Sequence, residues 1–387
     1  MKHKYLIPVL AVGLIWLAIV SMDWAMRFKH FRWQDRLIRK ASSMETQARG
    51  PDAPMQQRTV EAFSGGDLTR IAAVDEINRM VEEEKPATLV VTDEYGYRNV
   101  PPTDDKNYPL MVVGDSFLFV QYGEGGSFAH MLEKNSGQPV YNHSYPGAGA
   151  FWGLHRYLIE QRFARRPPKT IIWGLLEREL GGELFAGYVY HIKRLENGEA
   201  EAAPMAGSGF AWDQMQPSVL RGSLPDTSFF SAITRRLWNR AQYPVFGTTT
   251  RDVVMSGPDA GGKPFLFYRY NLDSLAWTRE QRNPAQIAWA VEVVRDYLRK
   301  QGSELLILLI PDKEQVYREL IPDGATLPPP ALHDVEQELT NRNIPVVNLL
   351  PAFLDAKNAG VMLYWRDDTH WRPEAMAIAA EMVGGKL

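Results

Sequence analysis

Pro109-Leu-Met-Val-Val-Gly-Asp-Ser-Phe117 is the stretch that decides the fold. Its apolar half, Leu110 to Val113, has the length and composition of a strand buried on both faces. The Gly-Asp-Ser turn that follows sets a serine just beyond the carboxyl end of that strand. Gly, Asp and Ser are ordinary turn residues, so the triplet alone identifies no chemistry. Near the other end of the chain, Asp368-Thr-His-Trp371 places an acid and a histidine two residues apart in a polar loop. A serine nucleophile needs a histidine to take its proton and a carboxylate to fix that histidine's tautomer. Ser116, His370 and Asp368 are the candidates for these roles, with Asp367 an adjacent rival for the acid.

Outward from this strand, apolar runs alternate with helical segments, the pattern of a parallel sheet flanked by helices. Further strands are expected from Val140 to Ser144, from Thr170 to Trp173, from Leu305 to Ile310 and from Pro345 to Leu349. A helix opened by Asn283-Pro284 carries Ile287, Val291, Val294 and Leu298 on one face and stops at Gly302. Others are expected through Leu154, Tyr157 and Leu158, over about 330–341, and after Pro373. Ser116, Gly147, Arg178, Lys313 and the Asp368 loop then all fall at or past the carboxyl ends of strands, where open α/β sheets form their sites. Acyl transfer also needs donors for the developing oxyanion. The backbone N–H groups of Ser116 and Gly147 are candidates, and Tyr145, Tyr122 and Arg178 offer side-chain donors, although each of these residue types is commonly structural.

Forty-three basic and 46 acidic residues leave the chain nearly balanced, so nothing electrostatic argues for a nucleic acid partner. The absence of cysteine excludes disulfides, thiol catalysis and cysteine zinc sites. Eight histidines without H-E-x-x-H spacing, and a lone Asp368/His370 pair, give no basis for a metal or other cofactor. Lys2 and Lys4 precede an uncharged, mostly apolar run from Tyr5 to Met22, short but adequate for a membrane-spanning helix with a cytoplasmic N-terminus. No small-x-small cleavage site closes it, which favours a retained anchor over a cleaved signal. The expected organisation is an anchor over 1–26, a membrane-proximal stalk over 27–86 and a catalytic domain over 87–387. Within the stalk, 67–85 has helical spacing, with Ile71, Val74, Ile77 and Val81 along one side. Within the domain, about 182–283 breaks the alternation, is rich in Gly, Pro and aromatics, and reads as an insertion or a set of loops over the active face.

Gly114-Asp-Ser-Phe117, the Gly-containing block at 146–149 and the late Asp/His element resemble the SGNH (GDSL-like) hydrolase superfamily. Tyr364-Trp-Arg-Asp-Asp-Thr-His-Trp-Arg-Pro-Glu374, Gly96-Tyr-Arg-Asn99, Trp173 with Glu177-Arg178, and Pro311-Asp-Lys313 look like the periplasmic alginate O-acetyltransferase group (AlgJ/AlgX-like). The resemblance covers about 88–385, apart from much of 182–283. It implies an SGNH-like three-layer α/β fold with a mostly parallel sheet, and it favours Asp368 over Asp367 as the acid. Two departures stand out. The stretch from Trp173 to Arg178 lacks the asparagine usual in the third block of SGNH hydrolases, which leaves Arg178 or Tyr145 to substitute. Ser116 precedes the Asp-x-His element, as in ordinary SGNH hydrolases and unlike the alginate enzymes, so the polysaccharide is left open.

The resemblance implies an exported O-acetyltransferase, anchored in the inner membrane with its catalytic domain in the periplasm. Ser116 would pass an acetyl group to a hydroxyl of an exopolysaccharide or cell-surface glycan. Acetyl-CoA is absent outside the cytoplasm, so the donor would be a multi-spanning membrane acyltransferase partner. One alternative is a carbohydrate esterase with the same triad. Another is a non-catalytic glycan-binding component of an export complex, against which the intact Ser116, Asp368 and His370 argue.

Overall fold

The computed structural model describes residues 12–19, 21–22, 54–72, 74–104, 106–146, 150–198, 237–238, 241, 243, 245–246, 252–259, 261–281, 283–322 and 327–387. Four short strands come first: β1 (Gln57–Val60), β2 (Phe63–Ser64), β3 (Glu84–Lys85) and β4 (Thr88–Val91). They are followed by β5 (Leu110–Val113), β6 (Val140–Asn142), β7 (Thr170–Leu176), β8 (Val253–Met255), β9 (Leu266–Tyr268), β10 (Glu304–Ile310) and β11 (Val346–Asn348). The helices used below are α1 (Asp67–Ala72), α2 (Asp75–Val81), α3 (Ser116–Phe119), α4 (Phe128–Ser136), α5 (Ala150–Ile159), α6 (Gly182–Glu196), α7 (Arg269–Gln281), α8 (Pro284–Lys300), α9 (Lys313–Val316), α10 (Leu332–Asn341) and α12 (Pro373–Gly384), with α11 (Leu350–Asn358) before the last.

Five strands make one sheet in the order β11-β10-β7-β5-β6, and every neighbouring pair is parallel. All four residues of β5 and the last six of β10 are buried, as a sheet covered on both faces requires. On the flanks, α8 buries Ile287, Val291, Val294 and Leu298 and packs against α6 and α10, while α12 packs on α4. Phe185 and Tyr188 of α6 close over Trp173 of β7, with ring centroids 6.3 and 5.3 Å away.

The chain leaves β5 toward β6 at one edge and leaves β7 toward β10 at the other. That reversal makes the carboxyl ends of β5 and β7 the topological switch point, where a doubly wound sheet opens a crevice. The turn there is held closely. Asp115 caps α3 by accepting the Phe117 N–H at 2.9 Å. Gly153 of α5 passes so near that a Cβ on it would lie 2.5 Å from the Gly114 carbonyl oxygen.

The segment expected to form a stalk joins the domain from residue 54 onward. β1 pairs antiparallel with β4 across the boundary expected at 87, and β2 pairs with β3. The single helical run expected over 67–85 is two helices, α1 and α2, followed by β3. Leu68, Ala72, Val74, Ile77 and Val81 form a small core with Val253 of β8 and Leu266 of β9. This segment is therefore tied to the late part of the region read as an insertion. The early part of that region, α6, lies in the helical layer beside α8. Most of 199–251 lies outside the described residues, as do 23–53 and much of the expected anchor. Residues 12–19 and 21–22 are helical and exposed. Among the described residues no helix is long and apolar enough to cross a membrane.

Candidate active site

Ser116 opens α3 at the carboxyl end of β5, and the loop between α11 and α12 brings His370 over it. His370 Nε2 lies 2.9 Å from Ser116 Oγ, across 254 residues of sequence. On the other side of the ring, His370 Nδ1 lies 2.7 Å from Asp368 Oδ1, which also accepts the backbone N–H of His370 at 2.9 Å. The imidazole packs against the Phe117 ring at 5.1 Å, and Trp371 Nε1 donates to the Phe117 carbonyl at 2.8 Å. The Asp-Thr-His-Trp element is thus pinned to the serine turn by its last residue. Asp368 carries no exposed surface and His370 very little.

The electrostatics suit a base. Burial by itself raises Asp368, but the hydrogen bond and charge of His370, with Lys85 behind, hold it well below the usual carboxylate range. For His370, burial works against the charged form. The hydrogen bond and charge of Asp368, then the charges of Asp67 and Asp115, outweigh burial and raise it above 6.5. Protonated His370 cannot accept a proton from Ser116, so activity is lost as pH falls through its folded value. The acid limb of a pH–rate profile is expected above pH 6.5. A limb at or below that value, measured on an acetyl ester, would show that the buried acids do not act on this ring.

Asp367, the rival acid, points elsewhere. It is buried in an ion pair with Lys85 and accepts the Glu83 N–H at 3.0 Å. Burial raises it to about 6 despite the attraction of Lys85.

The expected oxyanion donors fare differently. Gly147 lies outside the described residues. Arg178 is paired with Asp312, donating from its guanidinium and, at 2.8 Å, from its backbone N–H. Its guanidinium also sits 5.4 Å from the Phe117 ring centroid, close to the serine turn but engaged with a buried acid. The Tyr145 N–H donates to the Gly114 carbonyl at 2.8 Å, and its ring lies 5.2 Å from the Arg156 guanidinium. Tyr122 is buried edge-on to Trp365, and the carboxylates of Asp368, Asp67 and Asp367 surround its hydroxyl electrostatically.

Three residues that sequence reasoning passed over or undervalued hold the loop. Lys313, placed by the sequence only at the end of a strand, is buried with its Nζ donating to the carbonyls of Leu266, Trp365, Arg366 and Asp368 at 2.7 to 3.1 Å. Burial lowers it to about 8. Arg366, inside the motif, pairs with Asp259 and its backbone N–H donates to Glu83 at 2.8 Å. Asp67, at the start of α1, accepts the Thr369 N–H at 2.8 Å. Its only sequence signal is an acid in the first turn of a helix, which is a capping signal too. Asp67, Asp368 and His370 present oxygen and nitrogen atoms within 4.8 Å of one another. The cluster contains the 2.7 Å contact of Asp368 with His370 Nδ1, and it reads as one that orients the imidazole.

A family model described as an SGNH hydrolase-like domain, acetyltransferase AlgX, matches residues 36–177 and 260–387. The chain is 30% identical over 156 residues to a probable alginate O-acetylase AlgJ of Pseudomonas syringae pv. tomato, covering 39% of this chain and 37% of that protein. It is 27% identical over 152 residues to a protein of the same description from Pseudomonas fluorescens, covering 38% and 36%. A third, from Pseudomonas putida, is 31% identical over 93 residues, 23% of each chain. The chain thus spans less than two fifths of the length of these relatives. No solved structure matches it significantly.

Proposed function

The chain belongs to the SGNH hydrolase-like, AlgX acetyltransferase family, and on that premise we propose that it is a polysaccharide O-acetyltransferase working through an acetyl-Ser116 intermediate. The observation that carries the reading is the 2.9 Å approach of His370 Nε2 to Ser116 Oγ at the switch point of the sheet, with Asp368 2.7 Å from Nδ1. In the first half-reaction Ser116 Oγ attacks the acetyl carbonyl while His370 takes the hydroxyl proton. The tetrahedral intermediate collapses, the bond to the donor oxygen breaks, and His370 returns the proton to that leaving group. In the second half-reaction a sugar hydroxyl attacks the Ser116 ester, again losing its proton to His370, which restores it to Ser116 Oγ. Asp368 keeps Nδ1 protonated throughout and stabilises the imidazolium.

Anchorage in the inner membrane by 1–26, a periplasmic catalytic domain and an acetyl donor in the form of a multi-spanning membrane acyltransferase belong to the same proposal. The basic Lys2 and Lys4 before the uncharged run from Tyr5 to Met22 support the orientation. The names of the AlgJ relatives support a polysaccharide acceptor. Tyr268 and Tyr270, with ring centroids 5.8 Å apart, offer an aromatic face for a sugar, and Tyr270 is largely exposed.

A transferase must favour a positioned sugar hydroxyl over water. With an activated acetyl ester as surrogate donor, acetyl-Ser116 is expected to discharge faster when an oligosaccharide is added. Mass spectrometry should then find the acetyl group on the sugar. Fast acetate release with no glycan acetylated, across uronic, neutral and amino-sugar oligomers, would make the esterase reading the better one.

A further inference from the structure

We propose that Asp67, carried by the segment that the sequence led us to expect as a stalk, is a positioning residue for His370; the inference rests on reading Ser116 as the nucleophile. One carboxylate oxygen of Asp67 accepts the Thr369 N–H at 2.8 Å and the other accepts the Thr369 hydroxyl. Its own N–H donates to Asp368 Oδ2 at 3.1 Å, while Asp368 Oδ1 meets His370 Nδ1. Next in sequence, the Leu68 N–H donates to the Asp367 carbonyl at 3.1 Å. Two consecutive residues thus grip Asp367, Asp368 and Thr369 from one side. The contact has no slack, since a Cβ on Gly66 would lie 2.2 Å from the Asp367 carbonyl oxygen.

The same carboxylate stands 3.9 Å from His370 Nδ1, near enough to favour the imidazolium that forms during each proton transfer. Charged and titratable groups facing His370 are Asp368 and Asp67 beside it and Asp115 from the serine turn. Those facing Asp67 are Asp368 and His370, Arg70 on its own helix, Lys313 from α9, Tyr268 from β9 and the buried Tyr122. Removing one negative charge from this set weakens the support for protonated His370, so the ring gives up its proton at lower pH.

The test uses full-length protein with Asp67→Asn, Asp67→Glu and Thr369→Val, assayed on an acetyl ester across pH. A fluorophosphonate probe reports Ser116 in parallel. Asp67→Asn is expected to lower kcat about 10- to 100-fold with KM little changed and to move the acid limb to lower pH. Asp67→Glu should recover part of both. Thr369→Val, which keeps every charge, should lower kcat without moving the limb, and it carries the test if Asp67→Asn fails to fold. Unchanged kcat in Asp67→Asn, or a loss of rate that merely tracks a fall in Tm with the limb unmoved, overturns the assignment. Failure of the probe to label wild-type Ser116 overturns the nucleophile reading itself, and the role of Asp67 with it.

Discussion

Ser116→Ala is expected to lower turnover of an acetyl ester by about four orders of magnitude or more, and His370→Ala to do the same. Both act in one step: without Oγ there is nothing to acylate, and without Nε2 the hydroxyl keeps its proton. Their effects should therefore not add. The double variant is expected to be no slower than either single one, because once one member is gone the other has no task. Ser116→Ala should also leave stability nearly untouched. The turn is held by Asp115 capping the Phe117 N–H at 2.9 Å and by the Trp371 indole on the Phe117 carbonyl at 2.8 Å, neither of which uses the serine hydroxyl. His370→Ala removes a ring packed 5.1 Å from Phe117, so a modest loss of Tm is expected there. Turnover, thermal unfolding and labelling of Ser116 by a fluorophosphonate would decide the matter. Near-normal rates in either single variant, or additive losses in the double, would falsify the shared step.

What the sequence made legible follows from how each element is buried. Leu110–Val113 is an uninterrupted apolar run because β5 is covered on both faces, and its limits were readable to the residue. β7 runs on to Leu176, past the expected end at Trp173, since Gly174-Leu-Leu176 are as buried as what precedes them. β4 carries a different pattern. Thr88 and Val90 are buried while Leu89 is exposed, the alternation of a strand with one wet face. It pairs with β1 in a separate two-stranded sheet.

The site was legible where function leaves short motifs and illegible where support comes from afar. Ser116 and the Asp368 loop stand in compact signatures. Lys313 was undervalued because a lysine after a strand is ordinarily solvated. The converging carbonyls of Leu266, Trp365, Arg366 and Asp368, with the charges of Glu314 and Asp67 nearby, make its burial tolerable. Asp67 meets its partner across 302 residues, and its local signal, an acid in the first turn of a helix, reads as a cap. The side-chain oxyanion candidates were chosen for hydrogen-bonding capacity and, for Arg178, for its place past the end of a strand. Arg178 is committed to Asp312, and Tyr145 lies against Arg156.

Asp368→Asn and Asp367→Asn, adjacent and chemically identical changes, are expected to fail in different ways. At position 368 the amide keeps the shape but loses the charge, and it can present its NH2 to Nδ1 and so favour the wrong tautomer of His370. The expected loss in turnover is about three to four orders of magnitude. The buried position makes the charge matter: His370 and Lys85 hold Asp368 ionised across the working pH range even though burial opposes it. At position 367 the carboxylate faces Lys85, whose ammonium also donates to the Glu83 carbonyl at 3.1 Å and lies 4.9 Å from the Trp365 ring centroid. Neutralising Asp367 leaves that ammonium buried without its counter-charge. A loss of stability of about 3 kcal/mol is expected, seen as a Tm lower by several degrees. Turnover per folded molecule should fall far less than in Asp368→Asn, because the Asp367 carboxylate is paired with Lys85 rather than with His370 and the Asp367 carbonyl still accepts the Leu68 N–H at 3.1 Å. Active-site titration alongside thermal unfolding separates the two failures. If Asp367→Asn were the variant that stayed folded and lost its rate, the acid would have to be moved by one residue.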